Sequence, residues 1–159
     1  MEQIQTHKSE RPTGLERIIA NMIEKSNFQK LKARILVVDD DPETGEALRD
    51  LLVFAGFDVI VAENGTQAVD LLSTVRHFDL MISDMQMPKM DGLELLRLSR
   101  RLRKHLPVVI LTGHGTVHNG IHALEQGAHD YILKPFNTEK LLGVVEAALK
   151  SRSVQLCTA

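Results

Sequence analysis

Five short apolar segments alternate with five segments of helical periodicity over residues 34–151, and this alternation constrains the fold more than any other feature of the sequence. The apolar segments are rich in β-branched residues, as is typical of strands that are covered on both faces. They are Ile35–Val38, Val59–Val61, Leu80–Ile82, Val108–Leu111 and Tyr131–Leu133. Strict alternation of strand and helix predicts an α/β domain in which a parallel sheet lies between helices, with right-handed crossovers.

The residues before this pattern differ in composition from those within it. Residues 1–33 carry six basic and four acidic side chains, whereas the whole chain has a formal net charge of -2. Thr13 and Glu16 have the spacing of a capping box, and five apolar residues at helical spacing follow, from Leu15 to Ile23. We therefore expect an N-terminal extension (1–33) with one amphipathic helix, a main domain (34–151) and a C-terminal tail (152–159). Three roles remain open for this helix: it packs on its own domain, pairs with a second copy of the chain, or docks a partner.

Composition excludes several classes of protein. With 43% apolar and 25% charged residues, the chain resembles an ordinary globular protein rather than a disordered or fibrous one. Cys157 is the single cysteine, so no internal disulfide can form. No apolar run has the length of a membrane span, and the N-terminus has no secretory signal, so the expected compartment is the cytoplasm. The basic run from Arg97 to Lys104 is interpreted as a solvated helix face, and no direct binding to nucleic acid or membrane is expected.

Polar side chains collect where the predicted strands end. In open α/β sheets the ligand site lies beyond the carboxyl ends of the strands. Converging carboxylates raise each other's pKa unless a cation joins them, and carboxylate oxygens suit Mg²⁺. A cation, an ammonium and a hydroxyl around one carboxylate form a pocket for a phosphoryl group, which that carboxylate can attack. The residues concerned are Asp39, Asp40, Asp84, Thr112 and Lys134.

Four stretches in this order resemble a response-regulator receiver domain of two-component signalling: ILVVDDD at 35–41, DLMISDMQMPKMDG at 79–92, LTG at 111–113 and YILKPF at 131–136. The resemblance covers about residues 34–151. It implies a flavodoxin-like doubly wound five-stranded parallel sheet of order 2-1-3-4-5 with five helices. The segment LTGHGTV resembles receivers attached to σ54-dependent ATPase activators, but no such ATPase or DNA-binding domain is expected within these 159 residues. A natural single-domain regulator and a fragment of a longer one both remain open.

The resemblance also implies roles for individual residues. Asp84 is the implied phosphoacceptor, and Lys134 is implied to pair with the phosphoryl oxygens. Thr112 and Tyr131 are the implied switch residues, and Pro135 is implied to follow a cis peptide bond. The implied Mg²⁺ ligands are Asp39, Asp40, Asp84 and the backbone carbonyl of Gln86, and the residues implied to modulate the phosphoryl lifetime are Gln86 and His114.

The function implied by the resemblance is signalling rather than enzymatic catalysis. Asp84 would receive a phosphoryl group from a histidine kinase or phosphotransfer protein, with Mg²⁺ as cofactor. The added charge would then change the surface around the fourth helix, fifth strand and fifth helix, where a downstream protein target binds. The sequence leaves a homodimer open.

Other functions are compatible with a similar sheet. A pseudo-receiver that binds partners without phosphorylation is one, although it is expected to lack the acceptor Asp or the Lys. A Mg²⁺-dependent aspartyl-phosphate phosphohydrolase is another, but Glu43 stands where that class needs Thr or Val. A flavodoxin-like electron carrier is disfavoured by the acidic loop after the first strand and by only 4% aromatic residues. Three histidines spaced by four, from His114 to His122, offer a weaker metal-binding pattern that is more often a solvated helix face.

Overall fold

The computed structural model describes residues 33–75, 77–113 and 117–157. The amphipathic helix that the sequence predicts within residues 1–33 lies outside these residues. Five strands and five helices alternate along the described chain. The strands are β1 (Arg34–Val38), β2 (Asp58–Ala62), β3 (Leu80–Asp84), β4 (Val108–Thr112) and β5 (Asp130–Leu133). The helices are α1 (Pro42–Phe54), α2 (Gly65–Thr74), α3 (Gly92–Leu102), α4 (Val117–Glu125) and α5 (Thr138–Cys157).

The five strands form one parallel sheet of order β2-β1-β3-β4-β5, which confirms the predicted architecture. The chain moves from β1 outward to β2, then crosses back to place β3 on the other side of β1. The direction of winding therefore reverses between β1 and β3, and a crevice opens beyond their carboxyl ends. Val38 is paired with Ser83, so the residues that follow each of them, Asp39 and Asp84, come to the same place in this crevice.

Alternate residues of each strand enter two separate hydrophobic cores, one on each face of the sheet. Ile35 and Val37 pack with residues of α1 and α5 on one face. Leu36 and Val38 pack with residues of α2, α3 and α4 on the other. Because β1 is covered on both faces, all four of these residues are almost completely buried. The two layers of helices thus hold the central strands rigidly and leave their ends to carry polar residues.

Short polar side chains begin three of the helices. Asp41, Asn64 and Asp91 are the N-caps of α1, α2 and α3, and each accepts a hydrogen bond from a backbone N–H of the first helical turn. Pro42 occupies the first position of α1, where its missing N–H removes nothing from the helix. These caps fix where each loop ends, so the loops at the crevice are short.

The last helix, α5, is the longest of the five described helices and continues beyond residue 151 to Cys157. Leu141, Leu142 and Val145 form its buried face against the sheet. Its other faces carry charged side chains such as Glu139 and Lys140. Among the helices that the structure describes, none combines the length and the apolar character that crossing a membrane requires.

Gly92 allows α3 to begin in direct contact with the end of β3. A Cβ atom at this position would lie 2.4 Å from the carbonyl oxygen of Asp84 and 3.0 Å from the Cα of Met85. The Gly92 N–H also donates to the carbonyl of Met85 at 2.9 Å. Because the crowded atoms belong to the backbone, any side chain at position 92 must displace the loop that holds Asp84.

We predict that Gly92→Ala destabilises the protein by about 1–3 kcal/mol, because the added methyl group overpacks this contact. Urea unfolding followed by circular dichroism measures the effect. Gly143→Ala is the matched control, since a Cβ at position 143 of α5 meets nothing within 4 Å. A Gly92→Ala variant as stable as the wild type would contradict the close approach of α3 to β3.

Candidate functional site

The ammonium group of Lys134 lies between two buried carboxylates. Its Nζ atom is 2.7 Å from Oδ1 of Asp84 and 3.1 Å from Oδ2 of Asp39. Asp39 directly follows β1, Asp84 is the last residue of β3, and Lys134 directly follows β5. The structure therefore brings together three predicted site residues that lie 45 to 95 positions apart in sequence.

Asp39 is the more deeply buried carboxylate, with 3% of its surface exposed. Burial raises the pKa of Asp39, and the negative charge of Asp84 adds to that rise. The Asp41 N–H, which donates to Asp39 Oδ1 at 3.0 Å, and the ammonium of Lys134 oppose it without cancelling it. The ionised form of Asp39 is thus incompletely compensated by the protein, and a cation placed beside it would stabilise that form.

The carboxylate of Asp84 is held at both oxygens. Oδ1 accepts from Lys134, and Oδ2 accepts from the backbone N–H of Gln86 at 2.8 Å. The residue is 8% exposed, so Asp84 is buried but retains a small accessible surface. Both donors orient the carboxylate, and each oxygen keeps a lone pair for another partner.

Lys134 carries a positive charge at this site. Burial alone would lower its pKa, but the hydrogen bonds and charges of Asp84 and Asp39 outweigh that effect, and the pKa is raised. Its backbone N–H donates to the carbonyl of Thr112 at 2.7 Å, which ties the ends of β4 and β5 together. The Lys134–Pro135 bond is cis, which confirms the prediction made for Pro135.

The three consecutive aspartates after β1 have different surroundings. Asp39 points into the crevice toward Lys134, whereas Asp40 is exposed at the rim. Asp41 is the N-cap of α1, and its hydrogen bonds from the side chain and backbone of Thr44 lower its pKa. The structural role of Asp41 leaves Asp39 and Asp40 as the two aspartates of this loop that are available for a ligand.

The donor set at the crevice fits a divalent cation. Among the described residues, no three His, Cys, Asp or Glu side chains already form a closed ligand cluster. Mg²⁺ does not need one, because it keeps several waters and takes only one or two carboxylates from a protein. The carboxylates of Asp39, Asp40 and Asp84 outnumber the ammonium of Lys134, which contacts two of them, and the side-chain atoms that they offer to a cation are oxygens. Both the charge and the ligand type therefore suit Mg²⁺.

Thr112 and Tyr131 lie on the α4 side of the sheet. Thr112 ends β4 and is 1% exposed. Tyr131, in β5, is half-buried and packs against the core formed with α2, α3 and α4. The structure thus places both predicted switch residues beside α4. Gln86 contributes its N–H to the site and exposes its side chain, while His114 lies outside the described residues.

Two arginines of the basic run, which the sequence predicts to be a solvated helix face, instead bind backbone carbonyls near the ends of helices. Arg100 donates to the carbonyls of Lys104 and Gly127, and Arg103 donates to those of Leu72 and Val75 at 3.0 and 2.8 Å. Carbonyls at a helix C-terminus lack partners within the helix, so a guanidinium that reaches them closes the end of the helix. Sequence spacing gave no indication of this role, because Gly127, Leu72 and Val75 are distant in sequence and come close to the two arginines only when the helices pack.

Comparisons with known proteins agree with this geometry. The family model described as "Response regulator receiver domain" matches residues 35–146. The response regulator MprA of Mycobacterium sp. (strain KMS) is 41% identical over 123 residues, which cover 77% of this chain and 53% of MprA. The chain therefore spans about half the length of the curated relatives that it matches.

Solved structures show the same likeness. A receiver domain protein from Clostridium thermocellum has a TM-score of 0.73 and 32% identity, with 77% of this chain and 98% of that chain covered. NtrX from Brucella abortus has a TM-score of 0.75 and 30% identity, with 80% of this chain and 29% of that chain covered. At this identity, both the sequence and the backbone of the main domain are similar to receiver domains.

We predict that Lys134→Met destabilises the protein at pH 7 by about 1–3 kcal/mol, because it leaves two buried carboxylates without their cation. The pKa of Asp39, already above the ordinary value of 3.8, will rise further in this variant. The variant loses most stability at a pH where the folded protein must hold Asp39 in its ionised form. The difference in unfolding free energy between variant and wild type therefore shrinks as the pH falls toward 3.8. Urea unfolding at several pH values measures it.

The matched control for this prediction is Lys140→Met, which removes an exposed lysine of α5. Its effect should stay within about 0.5 kcal/mol at every pH. A deficit in Lys134→Met that is constant with pH would show that the loss comes from packing rather than from charge.

Proposed function

The chain belongs to the response regulator receiver domain family, and from this membership and the geometry of the crevice we propose that Asp84 accepts a phosphoryl group from a histidine kinase or phosphotransfer protein. Receiver domains are signalling domains rather than classical enzymes. The observation that carries the proposal is the position of Lys134, whose ammonium contacts the carboxylates of both Asp84 and Asp39. A single cation held at the acceptor carboxylate is well placed to receive phosphoryl oxygens.

The proposed transfer is a displacement at phosphorus. An Asp84 carboxylate oxygen forms the new O–P bond, while the P–N bond to the donor imidazole breaks and its electron pair stays on the imidazole nitrogen. The Gln86 N–H on Oδ2 and the Lys134 ammonium hold the carboxylate during the attack. The ammonium can then exchange part of its contact with the carboxylates for the more highly charged phosphoryl oxygens.

The residues that would hold Mg²⁺ are Asp39, Asp40 and Asp84, with the backbone carbonyl of Gln86. When bound, Mg²⁺ supplies positive charge that offsets the charge of the transferring group. The raised pKa of Asp39 supports this assignment, because burial destabilises its ionised form and a cation relieves that cost. Asp40, exposed at the rim, would reach the ion from the solvent side.

The phosphorylated state would be read at the surface formed by α4, β5 and α5. A phosphoryl group adds about −1.5 to −2 charge at the end of β3, next to the end of β4. The hydroxyl of Thr112 would move toward it, and Tyr131 would change position on the same face of the sheet. Ile121, Leu124 and Leu133 are 51%, 48% and 47% exposed on α4 and β5, which supports a protein target at this surface.

We predict that acetyl phosphate with Mg²⁺ adds one phosphoryl group to the wild type and none to Asp84→Asn, as measured by intact-mass spectrometry. The amide cannot form an acyl phosphate, and its shape preserves the contact with the Gln86 N–H. EDTA should abolish labelling of the wild type, because the carboxylates then repel the incoming phosphate.

Asp50→Asn is the matched control, since Asp50 is exposed on α1 away from the crevice. It should be labelled as the wild type is. Labelling of Asp84→Asn at the wild-type rate would refute the assignment of the acceptor. A folded wild type that is labelled by neither acetyl phosphate nor a phosphohistidine donor would favour a binding module that works without phosphorylation.

A further inference from the structure

Gly120 lies in α4 against the ring of Tyr131. A Cβ atom at this position would be 3.0 Å from Cδ1 and 3.1 Å from Cε1 of the ring, closer than ordinary van der Waals contact. Glycine inside a helix is less favourable than alanine, so its presence here needs a reason. The close approach of the ring gives one: a Cβ at position 120 would force the ring of Tyr131 to move by a few tenths of an ångström.

The hydroxyl of Tyr131 is buried without a hydrogen-bond partner among the described residues. A buried hydroxyl without a partner is unfavourable, whereas burial of the ring is favourable. The two effects oppose each other at the same side chain.

The ring of Tyr131 lies on the same face of the sheet as Thr112, the residue that moves in the proposed function. Tyr131 pairs with Ile110 across β4 and β5, and Ile110 belongs to the core on the α4 side. Thr112 is two residues further along β4 and therefore on the same face as Ile110. Under the proposed function Thr112 moves on this face of the sheet, where Gly120 of α4 meets the ring.

We infer that Gly120 is a positioning residue for Tyr131: the missing side chain at position 120 creates the site that the ring occupies, and α4 thereby controls where the ring lies. The inference rests on the proposed function only where it links ring position to phosphorylation. The position of the ring in the unphosphorylated protein is independent of that function and can be measured separately.

Tyr131 is a built-in probe for this test, because the chain contains one tyrosine and no tryptophan. Its fluorescence and the quenching of that fluorescence by acrylamide report the exposure of this one ring. The variant is Gly120→Ala. Gly143→Ala is the control, since it makes the same change in another helix where a Cβ meets nothing within 4 Å.

The inference predicts that Gly120→Ala shifts the Stern–Volmer constant from the wild-type value toward that of N-acetyltyrosinamide, while Gly143→Ala keeps the wild-type value. Far-UV circular dichroism checks that both variants are folded. A folded Gly120→Ala variant with wild-type quenching would overturn the inference, because the ring would then tolerate a methyl group at position 120.

A double-mutant cycle gives a second test, by thermal stability, that does not depend on fluorescence. With Tyr131→Ala as background, the ring is gone and Gly120→Ala should raise the melting temperature, as helix propensity dictates. In the wild-type background the same substitution should raise it less or lower it. Equal shifts in both backgrounds would overturn the inference.

The link to phosphorylation is tested on the same samples with beryllofluoride and Mg²⁺. Tyr131 fluorescence should change in the wild type and in Gly143→Ala, and should change less in Gly120→Ala, whose ring is already displaced. An equal change in all three would refute the link. Intact-mass labelling of the wild type separates the two claims, since its absence would count against the proposed function and leave the quenching result valid.

Discussion

One ammonium in contact with two buried carboxylates joins the ends of β1, β3 and β5. Asp39 and Asp84 would repel each other at the ends of adjacent strands without Lys134, and Lys134 reaches them from β5, at the edge of the sheet. The strand order, the two layers of helices and the close start of α3 at Gly92 all keep these three strand ends in register. The fold therefore holds in place an arrangement of charges that would be unfavourable on its own.

This arrangement of charges explains how phosphorylation of one side chain could change a distant surface of the protein. The carboxylates at the crevice outnumber the ammonium of Lys134, so the crevice favours a cation, and a cation in turn favours phosphoryl oxygens. The groups around Asp84 are tied directly to the ends of β4 and β5, through the hydrogen bond from the Lys134 N–H to the Thr112 carbonyl. The ring of Tyr131 and the helix that carries Gly120 then connect these strand ends to the exposed apolar residues of α4 and β5.

The fold and the centre of the site were predictable from the sequence because they depend on local patterns. Short β-branched runs identify the strands, polar residues at their ends identify the crevice, and the resemblance supplies the strand order. The separate surroundings of Asp39 and Asp41 were not predictable, because they depend on the direction of each side chain after the strand. The same holds for Arg100, which caps distant helix ends, and for Gly120, whose importance comes from a ring eleven residues away on another element. Such contacts arise only when the elements pack, so spacing along the chain does not show them.

Identification of the modified residue itself gives the most direct test of Asp84 as the phosphoacceptor. An acyl phosphate of aspartate is reduced by borohydride to homoserine, which survives proteolysis and sequencing of the peptides by mass spectrometry. After treatment with acetyl phosphate and Mg²⁺, we expect homoserine at position 84 and at no other aspartate. Homoserine at position 39 or 40, or at none of the aspartates of a protein that gains phosphate mass, would contradict it.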